Sequence, residues 1–198
     1  MRTVLYGGSF DPIHQAHLAV AYAALSDARF DQVVFVPCGV PPHKRLGLYA
    51  SAEHRFHMLQ LAVQRVNGFV VSPIELERDG PSYTWVTLDL WHQSHPDDTL
   101  WLLIGADSLL QLPAWRHPER IVQHARLLVA QRPGVDITQA AEWLTPYVDT
   151  LPSPRLDLSS SEIRARCAAM QSIRYLVPDP VFRYIIKHKL YMQSPGVQ

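Results

Sequence analysis

Short runs of strand-forming residues alternate along this chain with longer helix-like segments, and that alternation leaves few architectures open. The strand-like runs are TVLY at 3–6, QVVFV at 32–36, FVVS at 69–72, LWLLI at 100–104, RLLVA at 126–130 and, more weakly, YVDTL at 147–151. Between and after them, helices are expected at 14–28, 51–66, 83–93, 118–123, 160–170 and 180–188. In the second of these, Phe56, Leu59, Leu61, Ala62 and Val63 cluster near one helical face. Strands alternating with helices predict a parallel sheet covered on both sides, and near-continuous apolar strands fit burial of both faces. Right-handed crossovers then give an α/β, doubly wound sheet. Such sheets bind ligands beyond the carboxyl ends of their strands, so the loops after Tyr6, Val36, Ile104 and Ala130 are where a site is expected. No repeat, low-complexity tract or linker interrupts the pattern. A single domain over 1–192 is expected, with 193–198 as a frayed tail.

Composition narrows the partners. Lys+Arg and Asp+Glu both number 18, so the formal net charge is zero and there is no long-range basic field to draw in nucleic acid. An anionic substrate must be held locally, by a few placed cations and backbone amides. The two cysteines, Cys38 and Cys167, form no CxxC pair and no disulfide framework, which fits reduced thiols in a cytoplasmic protein. No stretch reaches the ~18 apolar residues of a membrane helix. The N-terminus carries no signal-peptide pattern and passes directly into the first strand. A homo-oligomer is compatible with all of this.

The segment 7–17, GGSFDPIHQAH, follows the first strand. Gly7 and Gly8 permit close approach of the backbone to a ligand. Pro12 suits a turn before a helix, and the positive end of that helix favours a phosphate. His14 and His17, three apart, share one face of the first turn and can meet one phosphate group. The pattern is neither a dinucleotide fingerprint nor a P-loop, and a zinc site lacks further ligands at a recognised spacing. On residue types alone, a phosphate site and an ordinary turn with two histidines stand at roughly even odds.

The full string GGSFDPIHQAHL resembles the signature of the HxGH nucleotidylyltransferase superfamily, G-[ST]-F-D-P-x-H-x-G-H, with Ala16 standing where that family usually has glycine. Later segments resemble the bacterial nicotinate-nucleotide adenylyltransferases: PPHK at 41–44, SYT at 82–84 with Thr87-Leu88, IGADSLL at 104–110 with Trp115, RPG at 132–134, LSSSEIR at 158–164 and VPDPVFRYIIKHKLY at 177–191. The resemblance implies a Rossmann-like nucleotidylyltransferase fold. It implies transfer of AMP from ATP, taken with Mg²⁺, to nicotinic acid mononucleotide, with no metal centre built from protein side chains. It places His14, His17, Lys44 and Arg164 in catalysis, and Gly7, Gly8, Ser9, Phe10, Asp107, Ser160 and Ser161 with the histidines and Arg164 around ATP. Lys44, Thr84, Trp115 and Arg132 fall to the nicotinate nucleotide.

Each assignment has a physical case and a plainer alternative. Lys44 is a mobile point charge, or a solvated lysine. Arg164 offers a fork-shaped cation beside the hydroxyls of Ser159–Ser161, which would equally serve as a helix cap. Trp115 can stack on a pyridine ring or pack in the core. Asp107 can accept from ribose hydroxyls or cap a helix over 108–112, and SYT can hold the nicotinate carboxylate or start a helix. Rival functions are an adenylyltransferase for nicotinamide mononucleotide or phosphopantetheine, and a non-catalytic nucleotide-binding module on the same fold.

Overall fold

The computed structural model describes residues 1–42, 49–131, 134–154 and 156–192. Six strands, β1 (Arg2–Gly8), β2 (Gln32–Pro37), β3 (Phe69–Val71), β4 (Thr99–Gly105), β5 (Ala125–Ala130) and β6 (Val148–Leu151), form one sheet in the order β3-β2-β1-β4-β5-β6. Every neighbouring pair is parallel. The chain winds outward from β1 to β3, then returns past β1 to continue through β4, so the switch point lies between β1 and β4. This is the doubly wound α/β arrangement that the alternation of runs predicts.

The helices are α1 (Gln15–Leu25), α2 (Ala52–Val63), α3 (Thr84–Ser94), α4 (Ala106–Gln111), α5 (Pro118–His124), α6 (Ser160–Ala168) and α7 (Asp179–Lys187). Alternation within the strands assigns them to two layers. Val4, Val33, Phe35, Leu103 and Leu128 point into a core shared with Ala21 and Ala24 of α1, Met58 of α2, Ile163 of α6 and Ile185 of α7. Their neighbours Leu5, Val34, Leu102 and Leu127 point the other way, against Leu88 of α3, Leu109 of α4 and Ile121 of α5. Among the described residues, α2 and α6 carry serine caps: Ser51 Oγ accepts from His54 N at 3.2 Å and Ser159 Oγ from Glu162 N at 3.1 Å.

The structure departs from the sequence reading at the site itself. β1 runs on through Gly7 and Gly8, which pair with Val36 and Pro37, so the loop begins at Ser9. α4 starts directly after Gly105, ahead of the point where an Asp107 cap would begin it. Gly105 occupies the cap position and Asp107 lies inside the first turn. Six residues are too few to show helical periodicity in sequence. The strong apolar strand before them fixes the position instead.

Candidate active site

The loop after β1 is shaped by groups from distant parts of the chain. Phe10 takes φ of 45°, a conformation that costs a bulky residue about 1–3 kcal/mol, so its surroundings must hold it. Its ring is 1% exposed and stands edge-on to Tyr6, Phe35 and His17. Arg55 of α2, itself buried, donates through Nη1 to Ser9 O at 3.0 Å and through Nε to Ala50 O at 3.3 Å. Arg164 Nη1 donates to Asp11 O at 2.7 Å, and Ser160 Oγ donates to Pro12 O at 3.0 Å, both from α6. The Asp11 side chain is wholly buried. It accepts from the amides of Tyr49 and Ala50 at 2.8 and 3.2 Å and from Tyr191 Oη at 2.7 Å. Burial pushes the Tyr191 phenol up, and the Asp11 carboxylate beside it pushes the same way, so the hydroxyl stays a donor.

His14 and His17 sit where this loop enters α1. His14 occupies the N-cap position and is 4% exposed, while His17 is half-buried one turn on. The rings stack with centroids 3.6 Å apart, and His17 Nδ1 accepts from the His14 backbone N–H at 3.3 Å. That bond leaves the His17 proton on Nε2, the nitrogen turned away from the helix backbone. The Gln15 amide of the first turn donates to Leu176 O at 3.0 Å, so the helix end offers an anion its field and the imidazoles rather than that N–H.

Beside the loop, at the carboxyl ends of the central strands, lies a cavity of about 310 Å³. Gly7, Gly8 and Ser9 line one side, Thr84 and Thr87 of α3 another, and Trp115 and Arg116 a third. Gly7 has nothing within 4 Å of where a Cβ would stand, whereas a Cβ on Gly8 would press on the Phe10 ring at 3.0 Å. The first glycine therefore leaves space open to a ligand and the second accommodates the loop's own packing. Glu75 also lines this cavity and is 7% exposed. Burial pushes its carboxyl up from the usual range, and hydrogen bonds from the hydroxyls of Thr87 and Ser82 partly oppose that shift. Thr87 Oγ1 donates to Glu75 Oε1 at 2.5 Å, while Ser82 Oγ accepts from Gly39 N at 2.9 Å. These bonds tie the loops after β2 and β3 to the start of α3. A Cβ on Gly39 would stand 2.5 Å from Glu75 O, a clash with backbone. Gly39→Ala is therefore expected to destabilise the fold by about 1–3 kcal/mol, read from a denaturant midpoint, because neither strand-end loop can move independently. An unchanged midpoint would show that the junction is loose.

The structure thus brings the predicted residues together in two adjoining groups. His14, His17, Ser160, Ser161 and Arg164 surround the loop 9–12, with Arg164 Nη2 donating to Ser161 Oγ at 3.0 Å and its guanidinium 4.2 Å from the Tyr49 ring centroid. Gly7, Gly8, Ser9, Thr84 and Trp115 line the cavity. Phe10 and Asp107 line neither wall of it: the Phe10 ring belongs to the core, and Asp107 lies in the first turn of α4. Lys44 and Arg132 lie outside the described residues. Sequence reading missed Arg55, Asp11 and Tyr191 as builders of the loop, and Glu75, Ser82 and Arg116 at the cavity. Asp11 stood within the quoted motif, and its position between a phenylalanine and a proline was the one signal available.

The sequence profile of the cytidylyltransferase-like family matches residues 5–166. A Roseiflexus sp. (strain RS-1) protein named as a probable nicotinate-nucleotide adenylyltransferase is 43% identical over 192 residues, covering 94% of this chain and 96% of its own length. The nicotinate-nucleotide adenylyltransferase of Bacillus subtilis (strain 168) is 36% identical over 188 residues, with 94% of this chain and 96% of that protein covered. Among solved structures, the Plasmodium falciparum nicotinic acid mononucleotide adenylyltransferase complexed with NaAD superposes with a TM-score of 0.80 at 22% identity, covering 99% of this chain and 100% of that one. That likeness is one of fold.

Proposed function

The chain belongs to the cytidylyltransferase-like family and, with its full-length relatives, to the nicotinate-nucleotide adenylyltransferases, and on that premise we propose how its residues divide the work of the reaction. The reaction joins ATP and nicotinic acid mononucleotide to give deamido-NAD and pyrophosphate. A phosphate oxygen of the mononucleotide attacks the α-phosphorus of ATP. A new P–O bond forms there, and the bond to the bridging α–β oxygen breaks. The nucleophile is already an anion, so no strong base is needed, and catalysis rests on alignment and charge stabilisation.

His17 Nε2–H and the His14 ring are the donors we assign to the α-phosphate. The observation that carries this is their stacking at 3.6 Å at a helix N-terminus, on a loop pinned by Arg55, Arg164, Ser160 and Asp11. Donors fixed before the substrate arrives need no reorganisation as charge develops. Arg164 directs one N–H at the Asp11 carbonyl and another at Ser161, and its charge with the remaining donors faces the leaving pyrophosphate. Lys44 and Arg132 complete the proposed cations. The cavity takes the nicotinate ring, with Trp115 against its face and the start of α3 at Thr84 near its carboxylate. Asp107 is assigned to ribose hydroxyls, and the backbone of Gly7, Gly8, Ser9 and Phe10 to the nucleotide's phosphates.

ATP enters as its Mg²⁺ complex. The ion would neutralise phosphate charge, a role in which Mg²⁺ commonly keeps several waters and takes few protein ligands. No helix of the described residues is long and apolar enough to cross a membrane. The proposed partners are the small molecules of the reaction, and its use of ATP motivates the proposed cytoplasmic location.

Pyrophosphate release from Mg-ATP, measured with nicotinic acid mononucleotide, nicotinamide mononucleotide and phosphopantetheine in turn, tests the assignment. Release is expected chiefly with the first. Release with none of them would leave a nucleotide-binding module.

A further inference from the structure

We propose that Glu75 is a specificity-determining residue: its carboxyl, set in the wall of the acceptor cavity, selects between acid and amide acceptors through its own charge. The inference rests on the reading that this cavity takes the pyridine end of the acceptor.

Glu75 is nearly enclosed, and the groups around it are few. Thr87 Oγ1 from α3 donates to it at 2.5 Å, and Ser82 just before α3 adds a second hydroxyl. Two cations exert their fields on it, Arg78 from its own loop and Arg55 from α2. Both direct their hydrogen bonds elsewhere: Arg78 Nη1 to Pro81 O at 2.9 Å, Arg55 to Ser9 O and Ala50 O. No ion pair to Glu75 occurs among the described residues, although the other buried carboxylate of the site, Asp11, collects three donors. The remaining titratable or charged side chains on the cavity lining are Cys38, Tyr83 and Arg116. Desolvation dominates at Glu75 and favours its neutral form.

A carboxylate lining a cavity that receives a second carboxylate creates a conflict that neutrality removes. Protonated Glu75 can donate a hydrogen bond to an anionic acceptor, whereas ionised Glu75 repels it. An amide acceptor carries no charge there, and its NH₂ can donate to ionised Glu75. Binding of the acid and ionisation of Glu75 therefore oppose each other. As pH rises through the elevated Glu75 range, the acid acceptor loses affinity and the amide does not.

The test is the ratio of kcat/KM for nicotinic acid mononucleotide over nicotinamide mononucleotide, followed from mildly acidic to mildly alkaline pH with Mg-ATP. Titration of ATP, of the shared phosphate and of His14 and His17 affects both acceptors and cancels in the ratio. The expected wild-type ratio falls roughly tenfold across the range, the loss two like charges cause at close quarters in a partly dry site, and the change resides in the KM of the acid. In Glu75→Gln, which keeps an oxygen acceptor for Thr87, the ratio is expected to be flat. A flat ratio in the wild type overturns the inference, as does a Glu75→Gln variant that keeps the wild-type slope. If the variant fails to fold, the wild-type slope decides. Absence of turnover with both acceptors would overturn the underlying functional reading instead.

Discussion

Replacing His17 by alanine is expected to slow turnover by roughly 10²–10³, the usual cost of removing one preorganised donor to developing phosphate charge. The stability cost should be smaller. The substitution forfeits edge contacts to Phe10 and Tyr6 and the acceptor for the His14 N–H, together about 1–2 kcal/mol, or a few degrees of melting temperature in a chain of this size. His17→Asn separates the two losses. Its side-chain oxygen can replace Nδ1 as the acceptor at the helix start, but nothing replaces Nε2. Stability should therefore return while turnover stays low. Single-turnover pyrophosphate release and a thermal melt on both variants read the two effects. Recovery of rate in His17→Asn would reduce His17 to a helix-capping residue.

The second large effect is on the fold. Asp11→Ala leaves two amides and a phenol without their acceptor. Each buried donor so stranded costs about 1–3 kcal/mol. The Tyr49 side chain is exposed, so its amide can regain water, and roughly 2–6 kcal/mol remains for the other two donors. Urea unfolding should show a lower midpoint with little change in slope, and activity should fall because Phe10 loses the frame that holds its positive φ. Tyr191→Phe, which removes one of the three donors and leaves the other two bonds intact, should cost only about 1 kcal/mol. An Asp11→Ala variant within 1 kcal/mol of wild type would show that Arg55, Arg164 and Ser160 hold the loop without it.

Much of the architecture was legible because parallel strands buried on both sides must be apolar at consecutive positions, and the short runs TVLY, QVVFV and LWLLI have that form. The boundaries were less so. Gly7 and Gly8 have poor strand propensity, yet pairing with Val36 and Pro37 carries β1 through them. The histidines were legible as a pair because their partners lie within one helical turn. Arg55 was not. An arginine in the first turns of a helix reads as solvated, and its target, Ser9 O, lies 46 positions earlier. Ser160 and Arg164 were read for their chemistry toward phosphate, whereas in the fold they also brace the loop, through bonds to the carbonyls of Pro12 and Asp11. Glu75 carried no local signal, since its burial follows from the way its own loop, after β3, packs between the loop after β2 and α3.

The bond from Tyr191 to Asp11 spans 180 positions, and those from Arg164 and Ser160 span nearly as many. Chains are made from the N-terminus, at rates that leave seconds between the first strand and the last helix. β1 can pair with β2 early, but the loop that follows it waits for residues synthesised 148 to 180 positions after their partners. A nascent chain of this protein can therefore hold a sheet without holding a working phosphate site. A ribosome that stops short of residue 191 releases a product lacking one donor to Asp11, whose catalytic loop is incompletely fastened.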